Sequence, residues 1–260
     1  LLSRGLGDVY KRQDCMNFEL NRNQLKMIAI FAMLFDHVLW ILYPGYDNGV
    51  GILLLHAIGR LAAPIFCFFI TEGYIYTRNV KKYALRLFLF SIVSHFAYCF
   101  AFGINYIPFT RGSIFNQTSV MWSLLLGLVS IMIYDSKMKG IYKFLLICLV
   151  CILAFPADWS MIGTLMVLYG YINKDNFNKR MFVIPFFTFF YALVFAIFLN
   201  PAYGILQMCT IFTIPLLKRY NNKPGNGKWI KWLFYIIYPA HLIICGVIRL
   251  ILHGNIQVIG

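Results

Sequence analysis

Residues Leu25–Tyr43, LKMIAIFAMLFDHVLWILY, decide what kind of protein this is, because they form a long apolar run with an Asp–His pair inside it. A helical run of about 20 apolar residues matches the hydrocarbon thickness of a bilayer. Lys26 lies at its start and His37 follows eleven residues later, which is about 16 Å along a helix at about 1.5 Å per residue. Asp36 and His37 are therefore predicted to lie near the middle of a membrane, where ionisable side chains are costly and usually functional.

The composition of the whole chain agrees with a membrane protein. The 260 residues are 61% hydrophobic and 12% charged, with a mean hydropathy of +0.73. Globular chains are about 45–50% apolar and about 25% charged. The net charge of +14 does not require a nucleic-acid partner, because membrane proteins carry basic cytoplasmic loops. Disordered chains, disulfide scaffolds and DNA-binding modules are excluded, which leaves a polytopic membrane protein.

Nine segments are candidates for crossing the membrane. Runs this long favour helices, whereas barrel strands would alternate with a period of two. The candidates are Leu25–Tyr43, Ile52–Tyr76, Tyr83–Phe102, Ser119–Tyr134, Ile141–Phe155, Ser160–Ile172, Met181–Leu199, Tyr203–Leu217 and Trp229–Ile251. The fifth, sixth and eighth are short, so they are expected to be tilted in pairs, re-entrant or bounded differently.

The charges of the loops support this count independently. Basic residues fall in alternate connections, whereas the opposite connections contain Arg111 as their only basic residue. The positive-inside rule then places the basic loops in the cytoplasm. The sequence thus predicts an all-α polytopic bundle of about nine transmembrane helices, with its N-terminus in the cytoplasm and its C-terminus outside.

The chain divides into a short tail and one domain. Residues 1–13, LLSRGLGDVYKRQ, have no apolar period and resemble a translated sequencing-adaptor tail, the alternative being a disordered N-terminus. Residues 14–260 are interpreted as a single transmembrane domain, with Met16 as a credible start. Cys148 and Cys151 form a C-x-x-C without a second pair, so small apolar packing is favoured over a metal site, and no metal is expected.

Polar side chains from four spans are predicted to share one layer of the membrane. His37, Arg60, His95 and His241 all lie at similar depths, and lipid-facing positions would leave them unsolvated. Adjacent residues on a helix point about 100° apart, so Asp36 and His37 are not expected to pair with each other. We expect His37 to face a cavity and Asp36 to pair with a basic group on a neighbouring helix, for example Arg60. Buried contacts that merely tie helices together remain the alternative, most of all for His95.

The second span also carries a carboxylate near its other end. Glu72 lies close to the basic segment Arg78–Arg86, and Pro64 is expected to kink or locally open the helix. Together with Lys26, the basic segment would form a positive mouth suited to a phosphorylated ligand from the cytoplasm. An interfacial salt bridge for Glu72 and a purely topogenic role for the basic residues remain open.

Three stretches carry a resemblance to the TraX family of membrane proteins. In this family, DH in the first span is followed by GR-x-A-x-P-I-F with a later E-G, and by Y-P-x-H-L in the last span. The matching stretches are LKMIAIFAMLFDHVLW (Leu25–Trp40), IGRLAAPIFCFFITEGYIYTRNVKKYALRLF (Ile58–Phe88) and WLFYIIYPAHLIIC (Trp232–Cys245). The family takes its name from a conjugation-system protein that N-acetylates pilin, and it is similar, more distantly, to the membrane acyltransferase-3 superfamily.

The resemblance implies roles for some of these residues. The wider superfamily carries a basic residue, ten intervening positions and then His in its first span, a spacing that Lys26 and His37 match. His37 is thereby implied as the catalytic base and Lys26 as part of the acyl-donor side. The individual roles of Arg60, Glu72 and His241 do not follow from the match. The candidate catalytic residues are His37, Asp36 and Arg60, and the candidates for acyl-CoA or substrate binding are Lys26, Glu72, Arg78, His95 and His241.

The expected function is therefore acyl transfer in a bacterial cytoplasmic membrane. Acetyl-CoA is the expected donor, with His37 removing the acceptor proton and Arg60 or a backbone N–H stabilising the oxyanion. The acceptor is left open between a pilin or other peptide amine, a sugar and a lipid headgroup. A proton-coupled transporter that uses the same histidines as a relay and a non-catalytic assembly factor are the alternatives.

Overall fold

The computed structural model describes residues 19–46, 49–108, 115–225 and 230–258. The proposed tail, residues 1–13, lies outside these ranges. Within them the chain is helical, with isolated backbone bridges between Leu20 and Tyr220 and between Thr118 and Ala157. The helices are α1 Arg22–Leu42, α2 Val50–Gly59, α3 Ala62–Tyr76, α4 Val80–Phe102, α5 Val120–Tyr134, α6 Gly140–Ala154, α7 Ser160–Ile172, α8 Phe177–Phe198, α9 Pro201–Gln207, a 3-10 helix Met208–Phe212, α10 Thr213–Lys218 and α11 Ile230–His253.

Asparagine caps several helix starts. Asn21, Asn79, Asn176 and Asn200 each accept a hydrogen bond from a backbone N–H in the first turn of α1, α4, α8 and α9. These caps satisfy donors that a helix leaves without an internal partner. At the other end of α4, Gly103 adopts φ 71°, the left-handed conformation that ends helices most easily at glycine. Asparagine at the N-terminal ends and glycine at the C-terminal end of α4 thus help to set where these helices begin and end.

The second predicted span contains a break at Arg60–Leu61, between α2 and α3. Pro64 explains it, because a proline ring blocks the carbonyl four residues earlier and lacks the N–H to bond it. That carbonyl belongs to Arg60. The expected opening of the helix near Pro64 is confirmed. It lies at Arg60 and Leu61, between the end of α2 and the start of α3.

The eighth predicted span is not one helix. Residues 201–218 form α9, the 3-10 helix and α10 in succession. Pro215 in α10 cannot bond the carbonyl of Ile211, so the turn before it tightens to 3-10 geometry. The apolar pattern of the sequence is continuous here, but the residues do not form one continuous α-helix.

Five helices in the described ranges are long and apolar enough to cross a membrane, counting α2 and α3 as one. The helices α5, α6 and α7 are apolar but shorter. Outward-facing side chains are strongly apolar, for example Phe31 at 63%, Ile197 at 72% and Ile251 at 76% exposure. Hydrocarbon rather than water is the solvent that such faces fit, so the chain is a helical membrane protein.

The first and last described helices pack side by side. Helix α11 lies against α4 and α1, and α3 packs on both α1 and α7. Between α1, α3, α4 and α11 runs a seam, and these helices carry the buried side chains of Asp36, His37, Glu72 and His241. This seam positions the candidate site.

Candidate active site in the helical bundle

Asp36 is the centre of a buried polar cluster. Its Oδ2 accepts a hydrogen bond of 2.6 Å from Nη2 of Arg60, and its Oδ1 lies 2.7 Å from Nδ1 of His56. The other arm of Arg60 donates to Oε1 of Gln207 at 3.3 Å. Asp36 and Arg60 are each 8% exposed and His56 is fully buried. The predicted pairing of Asp36 with Arg60 is confirmed, and both carboxylate oxygens have cationic or N–H partners, as an intramembrane charge requires.

Gly59 makes this close approach possible. A Cβ at this position would overlap the side-chain atoms of Asp36. Because the overlapping atoms belong to a carboxylate held by two other groups, neither side has room to move. The glycine before Arg60 therefore sets the distance between α1 and the end of α2.

His37 points in another direction and bonds the last helix. Its Nδ1 lies 2.7 Å from Nε2 of His241, and Nδ1 of His241 lies 2.9 Å from the carbonyl oxygen of Ile237. A carbonyl only accepts, so Nδ1 of His241 carries the proton that it donates there. With both rings neutral, Nε2 of His241 is an acceptor and Nδ1 of His37 is its donor. Nε2 of His37 is then the nitrogen with a free lone pair, which is the property of a general base.

The two imidazole rings are held in fixed orientation. They are nearly coplanar, at 8° with their centroids 5.0 Å apart. Phe102 and Tyr238 pack against the His37 ring with their planes nearly perpendicular to it, at 5.5 and 6.4 Å between centroids. Packing on both sides leaves His37 little rotational freedom, as a positioned base needs.

A small cavity, the histidine cavity, adjoins this pair. It has a volume of about 60 Å³, and His37, Asp36 and Arg60 contribute to its wall. Asn116 and Asp158, which lie in the connections before α5 and α7, also contribute to its wall. Most of the remaining wall is aromatic, with Trp40, Tyr46, Phe66, Tyr98, Phe102, Trp159, Tyr191 and Phe195. A cavity of this volume has room for a small group beside His37.

Asp158 is the one carboxylate at this cavity without a cationic contact in the described ranges. Desolvation by the surrounding protein raises the pKa of Asp158 to about 6, although Arg60 attracts the ionised form and lowers it. Since the residue lies in the turn between α6 and α7, it is outside the apolar spans. It gives the wall of the histidine cavity a negative charge that varies around pH 6.

A second cavity, the basic cavity, lies at the end of the bundle where α1 begins. Its volume is about 290 Å³. Three cationic side chains contribute to its wall: Arg22 and Lys26 from α1 and Arg86 from α4. The rest of the wall consists of Phe69, Glu72, Gly73, Tyr76, Thr77, Tyr83 and Tyr235. Cations and aromatic rings together suit an anionic ligand with a flat or apolar part.

Glu72 is held by Arg180, one of the basic residues that the sequence places in the alternate connections. Nη1 of Arg180 donates to Oε1 of Glu72 at 2.9 Å, and its guanidinium lies 3.8 Å from the centroid of the Phe68 ring. Both members of the pair are buried, at 8% and 5% exposure. The pair ties α8 to α3 beside the basic cavity.

The two cavities lie along one seam. On α1 the basic cavity reaches Lys26 and the histidine cavity begins at Met33, about 10 Å further at about 1.5 Å per residue. On α3 the corresponding boundary lies between Phe69 and Phe66. Between these limits both helices carry buried side chains, for example Ile30 at 2% and Cys67 at 4% exposure.

The structure brings most of the predicted residues together, but not all. Asp36, His37, Arg60 and His241 meet at the histidine cavity or beside it, and Lys26 and Glu72 meet at the basic cavity. His95 does not join them. Its ring nitrogens lie 2.9 Å from the Thr118 hydroxyl and 2.8 Å from the Tyr106 carbonyl oxygen, so it ties loops to α4, as the structural alternative held. Arg78 is exposed and does not line the basic cavity.

Several site residues were not singled out from the sequence. His56 and Gln207 complete the Asp36 cluster, Arg180 holds Glu72 and Asp158 borders the histidine cavity. Arg86, which lines the basic cavity, belongs to the basic segment that was predicted to form a positive mouth. The one available signal was that His56 lies four residues before Arg60 in the same segment, which places both on one face of a helix. No group of three His, Cys, Asp or Glu side chains in the described ranges is arranged to hold a metal ion.

Apolar helices long enough to span a bilayer, with a His–His pair and an Asp–Arg–His cluster buried among them, define an integral membrane protein with a polar site inside its bundle. The model of the TraX family, described as TraX protein, matches residues 21–249, and the chain belongs to that family. This confirms the resemblance found in the sequence.

Two curated proteins are similar over most of their length. The probable fimbrial assembly protein FimC, serogroup H1, of Dichelobacter nodosus is 27% identical over 232 residues, which cover 87% of this chain and 94% of that protein. An uncharacterized protein of Rickettsia prowazekii (strain Madrid E), RP591, is 24% identical over 240 residues, covering 85% of this chain and 88% of that protein. No solved structure matches.

Proposed function

We propose that this protein is a membrane acyltransferase that moves an acetyl or other short acyl group from acyl-CoA to an amine or hydroxyl. The observation that carries the proposal is the chain from His37 through His241 to the Ile237 carbonyl, which leaves a lone pair on Nε2 of His37 beside a small cavity. A buried, oriented imidazole base is what acyl transfer to a weakly acidic N–H or O–H requires.

The reaction proceeds by direct transfer. Nε2 of His37 removes the proton of the acceptor as its nitrogen or oxygen attacks the thioester carbonyl. The tetrahedral intermediate collapses by breaking the C–S bond, and the protonated His37 returns the proton to the leaving thiolate. The products are the acylated acceptor and CoA with a free thiol. His241 accepts the hydrogen bond from Nδ1–H of His37 throughout and so disperses the charge on the imidazolium.

The basic cavity is the proposed donor site. Arg22, Lys26 and Arg86 attract the phosphates of acyl-CoA. The pantetheine arm then follows the seam from Lys26 to His37, about 16 Å along α1 at about 1.5 Å per residue. Because packed side chains fill part of the seam, the arm must displace them to deliver its thioester.

Arg60 is the proposed donor to the developing oxyanion. Its guanidinium contributes to the wall of the histidine cavity, and its Nε has no hydrogen-bond partner in the described ranges. Asp36 holds the guanidinium through Nη2, which fixes its orientation before the charge develops. Such pre-orientation is the largest contribution in many acyl-transfer sites.

We further propose that the chain crosses a bacterial cytoplasmic membrane nine times, with the basic cavity on the cytoplasmic side where acyl-CoA is made. The broken segment α9–α10 forms one of these crossings. The histidine cavity then opens outward, where the acceptor enters. Since a similar protein is named a fimbrial assembly protein, the amine of a pilus subunit is one candidate acceptor, beside sugars and lipid headgroups.

The test is release of CoA from acetyl-CoA by the purified protein in detergent, with cell-envelope extract as the source of acceptors. His37→Ala is expected to lose extract-dependent release. His253→Ala is the matched control, because His253 bonds the Ile41 carbonyl away from both cavities and should retain release. Absence of release by the unaltered protein, together with no protection from thermal unfolding by acetyl-CoA, would contradict the proposal. Radiolabel trapped on the denatured protein would replace direct transfer by an acyl-enzyme.

Proton-coupled transport is a second candidate, favoured by the two cavities at opposite ends of one seam with packed side chains between them. It predicts uptake of a solute into vesicles driven by a pH gradient and no release of CoA. Assembly without catalysis predicts that pilus formation survives His37→Ala.

A further inference from the structure

Glu72 carries an unused hydrogen-bond acceptor at the wall of the basic cavity. Its Oε1 accepts from Arg180, but its Oε2 is buried with no hydrogen-bond partner in the described part of the chain. The side chain is 7% exposed. A buried carboxylate oxygen without a donor is destabilising, so a ligand in the basic cavity that supplies a donor to Oε2 would be stabilised there.

The charges around Glu72 limit what that ligand is. Arg22, Lys26 and Arg86 attract an anionic group, whereas the carboxylate of Glu72 repels one. The part of the ligand that lies against Glu72 must therefore be neutral and must present an N–H or O–H. A ligand with phosphates at one end and neutral amides further along meets both conditions.

The order of residues along α3 gives the direction in which such a ligand lies. Tyr76 is one turn from Glu72 toward the end of the helix, and Phe69 is one turn toward the histidine cavity. Glu72 thus lies between the outer rim of the basic cavity and the closed part of the seam. The neutral part of the ligand is the part that points toward His37.

We propose that Glu72 selects the acyl donor by accepting a hydrogen bond from an amide N–H of its pantetheine arm, while the cations of the basic cavity bind its phosphates. The inference rests on the proposed function, because it assumes acyl-CoA as the donor. It assigns to Glu72 a role in donor specificity, and to Arg180 the role of holding Oε1 so that Oε2 stays available.

The experiment measures binding to the full-length protein in lipid nanodiscs, independently of any acceptor. The probes are CoA, pantetheine, which has amides but no phosphate, and adenosine 3′,5′-bisphosphate, which has phosphates and adenine but no arm. Glu72→Gln is the informative variant, because its single oxygen faces Nη1 of Arg180 and its NH₂ group then opposes the ligand N–H. We expect CoA and pantetheine to bind on the order of ten- to a hundredfold more weakly, the loss of a hydrogen bond to a charged group. The bisphosphate should bind no more weakly, because the variant removes the repulsion between the Glu72 carboxylate and the phosphates.

Two further variants separate charge from position. Arg86→Gln is expected to weaken CoA and the bisphosphate and to leave pantetheine unchanged. Asp175→Asn removes a carboxylate from the exposed turn before α8 and should change none of the three affinities. If Glu72→Gln does not fold, the same comparison is made on the unaltered protein with pantetheine analogues in which each amide N–H is replaced in turn by an ester oxygen, and one replacement should cost the same factor.

The outcomes distinguish this inference from the proposed function. If the unaltered protein binds CoA but Glu72→Gln and the ester analogues bind as tightly as their parents, the inference fails and the donor site stands. If Glu72→Gln weakens only the bisphosphate, Glu72 contacts adenine and the inference is wrong. If CoA does not bind at all, the proposed function fails with it.

Discussion

Truncating two adjacent residues of α1 should have opposite consequences. Asp36→Ala removes the hydrogen-bond partner of Nη2 of Arg60, which lies 2.6 Å from Oδ2 of Asp36. Arg60 is only 8% exposed, so its charge would be left buried. Removing one member of a buried ion pair costs about 3–5 kcal/mol. His37→Ala removes one neutral hydrogen bond, to His241, at a cost of about 0.5–1.5 kcal/mol. Asp36→Ala should therefore be the less stable variant by about 1.5–4.5 kcal/mol from the difference of these values.

Activity should follow the reverse order. Loss of the base at His37 is expected to lower kcat by about 10²–10⁴-fold. Asp36→Ala should lose activity in proportion to its folded fraction and to the misplacement of Arg60. The assay pairs unfolding in detergent, followed by tryptophan fluorescence, with CoA release per folded molecule at a temperature where both variants are folded.

One result would refute this reasoning. If His37→Ala unfolds as easily as Asp36→Ala while retaining CoA release, His37 is a structural residue and the assignment of the base is wrong. If Asp36→Ala is instead as stable as the unaltered protein, the Asp36–Arg60 pair contributes nothing to the fold.

Three other perturbations give distinct expectations. His241→Gln retains an acceptor for Nδ1–H of His37 and should keep most of kcat. His241→Phe has no acceptor and should lower kcat by about tenfold or more and shift the pH–rate profile. Equal effects of the two variants would contradict the role of His241 as the acceptor. Gly59→Ala should destabilise by about 1–3 kcal/mol through overpacking, whereas Gly51→Ala, which meets open space, should not; melting temperatures compare them. Because the pKa of Asp158 is raised to about 6 from about 3.9, the folded state binds more protons than the unfolded state between these values, so the free energy of unfolding should fall as pH rises from about 4 to 6. Asp158→Asn should abolish that slope in pH-dependent unfolding, and a slope that persists would assign it to another group.

The parts of the fold that were predictable follow from local chemistry. Apolar length marks the spans, and Pro64 marks the break because its effect reaches only four residues. The pairing of Asp36 with Arg60 was predictable because an intramembrane carboxylate must have a cation, and few cations lie at that depth.

The rest required knowledge of which helix faces which. Depth in a membrane follows from the sequence, but rotation about the helix axis and the choice of neighbour do not. His95 and His241 have similar predicted depths, yet only His241 reaches His37. Arg180 appeared to be a loop charge because it lies near the start of α8, but its side chain turns inward over Phe68.

The separation of bonding partners along the chain bears on how the protein is made. Asp36 finds Arg60 only 24 residues later, within the next span, so its charge can be neutralised as the first helical hairpin enters the membrane. His37 finds His241 only after 204 residues. An imidazole can remain neutral in the membrane until its partner is present, whereas an ionised carboxylate without a cation is costly in hydrocarbon. The charged cluster is thus suited to assemble early during synthesis, whereas the ring of His37 is oriented only when the last helix is in place, so incomplete chains lack the His37–His241 pair.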